Sequence, residues 1–272
     1  MKTTDTVCGT MAYDPRDPWI GKSIEALGEY NRGESVAFQR YCNPGETVVD
    51  CGANIGATVA SLSRIVGGTG KVIAFEPQST AFSILEENIK LLGLTNVTPY
   101  RACVGHEQGT IKVQDTLAES GEVINSGALQ ALRGSEDGVE TPIMTIDGLG
   151  LESCSFIKID VEGAEPAVLI GAARTITKHR PVIYYEIHLD EHQILPALLA
   201  SMGYRMFKHC PPLYREDNYR KAAHPWEGHN FCSINAIAIP KERNEEPPVE
   251  LDHVFGEIHP SPYTRIEVRR VA

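Results

Sequence analysis

The chain has 272 residues, of which 42% are hydrophobic and 22% are charged, and its formal net charge is −11. This composition is that of a globular protein rather than a disordered chain, and the length fits one large α/β domain or two small ones. The acidic balance argues against nucleic acid or an anionic membrane as a partner, since both need a basic protein surface.

The N-terminal residues 1–44 predict a helical lead-in or lid ahead of the main domain. Residues 1–19 are expected to be irregular because two prolines interrupt them. From Ile20 to Tyr41, apolar residues recur at a loose helical spacing, which predicts one or two short helices. The sequence Asn43-Pro44-Gly45 is typical of a turn and ends this segment.

Residues 45–240 alternate short apolar runs with segments of helical periodicity, which indicates one α/β domain. Strands are predicted over 47–51, 71–75, 97–104, 155–160, 181–188, 204–209 and 233–239. Helices are predicted over 57–66, 79–92, 166–173 and 190–202. Strands and helices that alternate at this spacing predict a Rossmann-like, doubly wound and mostly parallel seven-stranded sheet with helices on both faces.

Two segments depart from this alternation. Residues 105–140 are rich in Gly, Ser and Glu and predict an inserted loop near the functional site, with one hairpin arm over 110–114. Residues 241–272 are rich in proline and charge, which predicts a C-terminal tail that wraps the surface or is partly disordered.

The strongest functional signal is the sequence VVDCGANIG over residues 48–56, where the first strand of the domain turns into its first helix. Glycines permit a tight turn and close approach of a ligand, and open α/β sheets bind ligands at the carboxyl ends of their strands. Asp50 at the strand tip suits an ammonium group and the field of a sulfonium, while Glu76 after the second strand is placed to accept hydrogen bonds from ribose hydroxyls. The pattern predicts a pocket for a cationic nucleoside without phosphates, with cofactor contacts from Asp50, Gly52, Ala53, Asn54, Gly56 and Glu76.

A dinucleotide-dependent oxidoreductase is the first competing interpretation of this turn. Its G-x-G-x-x-G fingerprint is incomplete here, because position 54 is Asn and the third glycine is absent. Asp50 would also repel a pyrophosphate docked on the turn. The plainer alternative is a glycine turn with two solvated acids at the strand ends.

A second signal is the sequence KIDVEGAE over residues 158–165, at the end of a predicted strand. Asp160 and Glu162 alternate, so they point the same way if the strand continues. Two converging carboxylates can orient an acceptor, remove its proton or hold a divalent metal ion, and the sequence leaves these roles open. The alternative is that the acids stabilise the dipole of the next helix, which suits Glu165 best.

These two motifs, with Phe75-Glu76-Pro77 between them, resemble the FkbM-type methyltransferase family from about residue 45 to about residue 187. The lead-in from Gly28 to Glu34 is also similar to that of its relatives. The resemblance implies a class I methyltransferase-like core that uses S-adenosyl-L-methionine. It further implies transfer of the methyl group to a hydroxyl of a small-molecule metabolite or sugar.

Within this interpretation, Asp160 or Glu162 is the expected base for the acceptor, with His188 in reserve. Asp160 and, in the insert, Ser126 are further candidates for cofactor contact. Candidate substrate-binding residues are Tyr30, Glu186, His229 and Asn230. An N-methyltransferase and a non-catalytic nucleoside-binding module are the alternative functions.

Seven scattered cysteines without a C-x-x-C pair indicate reduced thiols rather than a disulfide framework or a zinc site. The N-terminus has no apolar leader, and no apolar run approaches the roughly 18 residues of a membrane span. We therefore expect a cytoplasmic protein whose partner is a small-molecule acceptor, with neither nucleic acid nor membrane as a partner. A homodimer is left open.

Overall fold

The computed structural model describes residues 1–114, 138–187, 194–226, 229, 231–245, 247 and 254–258. Five parallel strands form the larger part of its largest sheet, and three of them, over 47–51, 156–159 and 182–186, are short runs that are almost wholly buried. In chain order they are β3 (Thr47–Cys51), β4 (Lys71–Phe75), β5 (Val97–Tyr100), β9 (Phe156–Ile159) and β10 (Val182–Glu186). Their spatial order β10-β9-β3-β4-β5 places β3 at the point where the winding direction reverses.

Three further strands extend this sheet beyond β10. They are β11 (Tyr204–His209), β12 (Asn235–Pro240) and β13 (Val254–Ile258), and the order is β13-β11-β12-β10. β12 runs antiparallel to both of its neighbours. The mostly parallel sheet of seven predicted strands is therefore confirmed, and β13 adds an eighth at the edge, within the region expected to be a tail.

Helices cover both faces of the sheet. The described helices are α1 (Ile20–Leu27), α2 (Arg32–Tyr41), α3 (Ala57–Val66), α4 (Ser79–Leu91), α5 (Glu165–Gly171), α6 (Ala173–His179) and α7 (Ile194–Ser201). Among them, none combines the length and the apolar character that a bilayer span requires.

Alternate residues of each strand enter two separate hydrophobic layers. Val49 and Ile157 point to the layer that contains the apolar residues of α5, α6 and α7. Val48 and Phe156 point to the opposite layer, which contains Phe38 of α2 and residues of α3. We call this second side of the sheet the α2 face. At the carboxyl edge, two residues after Val48 and Phe156, the same face carries the polar side chains of Asp50 and Lys158.

The expectation that residues 1–19 are irregular is wrong for two segments. β1 (Lys2–Thr6) and β2 (Gly9–Tyr13) form an antiparallel hairpin. The Asn88 side chain on α4 holds this hairpin, because it accepts from the Ala12 nitrogen at 2.6 Å and donates to the Ala12 oxygen at 3.0 Å. This support from α4 comes from a distant part of the chain, so local sequence does not reveal it.

The hairpin arm predicted over 110–114 is present as a strand, whereas the end of the predicted insert is a strand rather than a loop. β6 (Cys103–Val104), β7 (Gly109–Val113) and β8 (Val139–Met144) form a small sheet in the order β6-β8-β7. The strand expected over 97–104 is thus divided between β5 and β6. Residues 115–137 of the insert lie outside the described residues.

Candidate active site

The turn after β3 contacts the residue that follows β9. Gly52 has φ 86°, and a Cβ atom there would lie 1.7 Å from the Asp160 carbonyl oxygen. The Asp160 nitrogen in turn donates to the Cys51 oxygen at 3.0 Å. Glycine at position 52 is therefore required both by its positive φ and by this close approach. The predicted cofactor turn, residues 51–56, is therefore in direct contact with the segment after β9, residues 160–165, which we call the acidic loop.

Glu76 folds back over the same turn. Its Oε2 accepts from the Asn54 nitrogen at 2.9 Å and its Oε1 from the Gln78 nitrogen at 2.8 Å. Burial raises the pKa of Glu76 to about 7, against these hydrogen bonds, which lower it. Each carboxylate oxygen keeps a further lone pair, so the side chain can also accept hydrogen bonds from a ligand.

The rest of the turn leads into α3. Ala53 is buried, and its nitrogen donates to the Phe75 oxygen at 2.8 Å. Gly56 has φ 89° at the start of the helix, where a Cβ atom would meet the Leu85 side chain at 2.6 Å. These contacts fix the backbone path of the predicted cofactor-binding residues.

Asp50 lies behind the turn, on the α2 face, and is fully buried. Its Oδ2 accepts from the Thr58 hydroxyl at 2.7 Å, and its Oδ1 lies 3.2 Å from the Lys158 nitrogen. Burial raises the pKa of Asp50, while Lys158 and Thr58 act in the opposite direction. Lys158 therefore balances the carboxylate that the sequence assigned to the ammonium group of a ligand.

Lys158 contacts both the turn after β3 and the acidic loop after β9. Its Nζ lies 3.2 Å from Asp160 Oδ2 and 3.3 Å from the Gly52 oxygen, in addition to its contact with Asp50. Burial alone would lower the pKa of Lys158, but the neighbouring carboxylates raise it well above its usual range. The carboxylates therefore favour the protonated form of Lys158 between the glycine turn and the acids that follow β9.

Three half-buried carboxylates converge at the ends of β9 and β10. Asp160, Glu162 and Glu186 each offer an oxygen within 4.8 Å of the others, so together they could hold a polar acceptor or a divalent cation. Glu162 has φ 55°, a left-handed conformation that is uncommon outside glycine. The Glu165 carboxylate supports this loop by accepting from the nitrogens of Val161 and Gly163.

The lead-in supplies residues to the same region. Glu34 on α2 is 5% exposed, and its Oε1 accepts from the side-chain nitrogen of Asn235 at 2.9 Å. Burial raises the pKa of Glu34 to about 8, and the charge of Lys158 opposes that shift. Burial, Glu34 and Asp160 also raise the pKa of the Tyr30 phenol well above its usual range, as expected for a hydroxyl close to these acids.

Sequence reasoning missed three of these residues as parts of the site, namely Thr58, Glu34 and Asn235, and saw Lys158 only as a neighbour of acids. A partial signal existed for Lys158, since a lysine inside an apolar run is an unusual choice for a buried strand. The other three become recognisable only through tertiary contacts.

The remaining predicted residues are not brought to the acidic loop by any contact described. His229 is exposed, and its ring lies 6.0 Å from that of Phe231. Phe231 packs edge-on against Trp19 at 4.8 Å. The other three candidates lie outside the described residues: Ser126, His188 and Asn230.

The lead-in is bound to the segment 210–234, which connects β11 to β12. Asn31 donates to the Ser233 hydroxyl at 2.8 Å, and the Trp226 indole donates to the Pro18 oxygen at 2.9 Å. Because β11 ends and β12 begins at the carboxyl edge of the parallel strands, both ends of this connection lie at the edge of the sheet that carries Asp160 and Glu186. Two side-chain hydrogen bonds therefore join the lead-in to the described part of this connection.

The strand order, with one antiparallel strand between β10 and β11 and a glycine turn after β3, defines a class I methyltransferase-like fold. A family profile described as the methyltransferase FkbM domain matches residues 50–206, which is more than half of the chain. The protein belongs to the FkbM methyltransferase family.

The proteins similar to this chain include a curated relative and two solved methyltransferase structures. Methyltransferase 1 of Beauveria bassiana (strain ARSEF 2860) is 26% identical over 143 residues, which are 46% of this chain and 57% of the relative. The match thus spans little more than half of that protein. The FkbM methyltransferase structure from Methylobacillus flagellatus KT has 18% identity and a TM-score of 0.45, covering 84% of this chain and 56% of that one. Precorrin-6y C5,15-methyltransferase from Geobacter metallireducens GS-15 has 15% identity and a TM-score of 0.46, covering 76% and 87%.

Proposed function

We propose that this protein binds S-adenosyl-L-methionine on the turn after β3 and transfers its methyl group to a hydroxyl of a small-molecule metabolite or sugar. The observation that carries the proposal is the contact between Gly52 and Asp160, because it sets the cofactor turn directly beside three convergent carboxylates. Family membership supports the same reaction class.

The residues of the turn suit the proposed cofactor. Glu76 has free lone pairs for the ribose hydroxyls, and the turn has a buried carboxylate behind it instead of the phosphate-binding pattern of a dinucleotide site. Asn54, Gly56 and Asp160 complete the proposed contacts. When bound, S-adenosyl-L-methionine supplies a methyl carbon that its sulfonium has already activated.

The chain's own task is then to align an acceptor and to remove its proton. Asp160 is paired with Lys158, which weakens it as a base. Glu162 is therefore the proposed proton acceptor, while Asp160 and Glu186 orient the hydroxyl. Alignment and exclusion of water account for most of the rate in this scheme, because the leaving group needs no further activation.

Isothermal titration calorimetry with S-adenosyl-L-methionine tests the first half of the proposal, and absence of binding at millimolar ligand would defeat it. Mass spectrometry of a panel of sugars, phenols and amines, incubated with the protein and the cofactor, tests the second half. Methylation of amines alone would replace the hydroxyl with nitrogen as the target.

A divalent ion in the same cluster is the alternative to a carboxylate base. Turnover that survives EDTA treatment supports Glu162 as the base. Turnover that EDTA abolishes and Mg²⁺ restores would instead assign the three carboxylates to a metal.

A further inference from the structure

Three carboxyl groups and one ammonium group meet on the α2 face. Asp50 faces Lys158 in register across β3 and β9, and Asp160 contacts the same ammonium group. Glu34 brings a third carboxyl group to this region from α2. When all three carboxyl groups are ionised, their charge exceeds that of the single ammonium group, so an additional positive charge nearby stabilises the ionised form of the cluster.

We propose that Glu34 is a further specificity residue, which makes the site prefer the cationic cofactor over its neutral product. This inference rests on the proposed function. S-adenosyl-L-methionine carries a sulfonium charge that S-adenosylhomocysteine lacks, so an ionised carboxylate in a buried site stabilises the first ligand and not the second.

The surroundings of Glu34 keep this carboxyl group close to its titration point. Lys158 favours the ionised form, whereas burial disfavours it and Asp160 and Asp50 repel it. Tyr30 of the lead-in and Tyr184 of β10 also face this group, and both are neutral phenols whose pKa is raised well above the usual range. A cationic ligand therefore shifts Glu34 toward the carboxylate.

This shift has two consequences. The proton that leaves Glu34 passes to the buffer when the cationic cofactor binds. Once the sulfonium charge is lost by methyl transfer, Glu34 takes a proton back and the product is held less tightly. Binding of S-adenosyl-L-methionine should consequently strengthen relative to that of S-adenosylhomocysteine as the pH rises through about 8.

The matched variants are Glu34→Gln and Glu29→Gln. Glutamine at 34 keeps an oxygen that accepts from Asn235, so the substitution removes the ionisation and retains the hydrogen bond. Glu29 is a second buried carboxylate in the same lead-in, but its Oε2 accepts from the Tyr219 nitrogen in the connection 210–234. It controls for the loss of a buried acid away from Lys158.

The experiment is calorimetry of both ligands, S-adenosyl-L-methionine and S-adenosylhomocysteine, at pH 7, 8 and 9 in phosphate and in Tris. The difference between the buffers gives the number of protons released. We expect the wild type and Glu29→Gln to release protons with the cationic ligand and not with the neutral one. In Glu34→Gln the release should disappear, and the preference for the cationic ligand at pH 8 should fall by roughly threefold to tenfold.

Unchanged proton release and an unchanged affinity ratio in Glu34→Gln would overturn the inference. If that variant unfolds, as judged by circular dichroism, the wild-type measurement alone tests the proposal. Equal proton release on binding of S-adenosyl-L-methionine and of S-adenosylhomocysteine would then contradict it. Failure of the wild type to bind S-adenosyl-L-methionine defeats the proposed function instead, so the two failures are distinguishable.

Discussion

Lys158 and Asp50 face each other across two parallel strands, with 3.2 Å between Nζ and Oδ1, and their side chains are 3% and 0% exposed. A buried pair of this kind contributes little net stability compared with apolar residues, but breaking it leaves one charge uncompensated. The pair therefore fixes the relative position of β3 and β9 at the site, and loss of either partner is strongly destabilising.

Replacing Lys158 by Met should lower the free energy of unfolding by about 3–5 kcal/mol, because Asp50 stays buried without its partner. Urea denaturation followed by circular dichroism measures this change. The double variant with Asp50→Asn should recover part of the loss, since the amide needs no counter-charge. A single variant within about 1 kcal/mol of the wild type would contradict the assigned role.

Gly52→Ala should abolish cofactor binding, because its Cβ atom would overlap the Asp160 oxygen and separate the two halves of the site. The matched control is Gly150→Ala, where φ is 60° in the ordinary left-handed helical region and nothing lies within 4 Å of the added carbon. That control carries only the backbone penalty of about 1 kcal/mol. Calorimetry measures cofactor binding and thermal denaturation measures stability, so the two variants separate steric overlap with Asp160 from backbone strain. Equal cofactor affinity and equal stability of the two variants would refute the close approach.

Glu162→Gln should lower kcat by about 100-fold or more while the cofactor dissociation constant changes little, because the amide cannot take the acceptor proton. Asp160→Asn is expected to reduce turnover as well, through loss of orientation. Glu152→Gln, on an exposed carboxylate, serves as the control. A Glu162→Gln enzyme with wild-type kcat would remove this residue from proton transfer.

The unliganded protein should lose stability as the pH rises from about 4.5 to about 8, in part through Glu34. Its pKa is raised from 4.5 to about 8 on folding, so the folded state binds the proton more tightly and the stabilising contribution is lost as the pH approaches 8. Melting temperatures of the wild type and Glu34→Gln at pH 5.5 and 8 check this. The decline should be smaller in the variant, and identical declines would show that Glu34 is not the titrating group.

Asn88→Ala should destabilise the protein by roughly 2–4 kcal/mol, because it leaves buried groups of Ala12 and Ile55 without partners. Thr10→Ala removes an exposed hydrogen bond to Asp5 in the same hairpin and should cost at most about 0.5 kcal/mol. Denaturant titration measures both variants, and similar small effects would show that the hairpin contributes little.

Local sequence was sufficient to predict the alternating strands and helices, the glycine turn after β3 and the acids that follow β4 and β9. Buried parallel strands need continuous apolar runs, and turns at their ends need glycine or polar residues, so these features appear in short windows of sequence. The carboxyl ends of parallel strands share one edge, which is why the turn and the acids could be assigned to one site.

Only the tertiary structure decided how the charges of the site are balanced. Glu34 meets Asn235 across 201 positions of sequence, and Asp50 meets Lys158 through the register of two strands that are distant in the chain. The N-terminal hairpin pairs locally but is held by Asn88 of α4, and the edge strand Val254–Ile258 pairs with β11 across a long connection. Pairing between strands and the compensation of buried charge are set by long-range packing, which leaves no periodic signal in the local sequence.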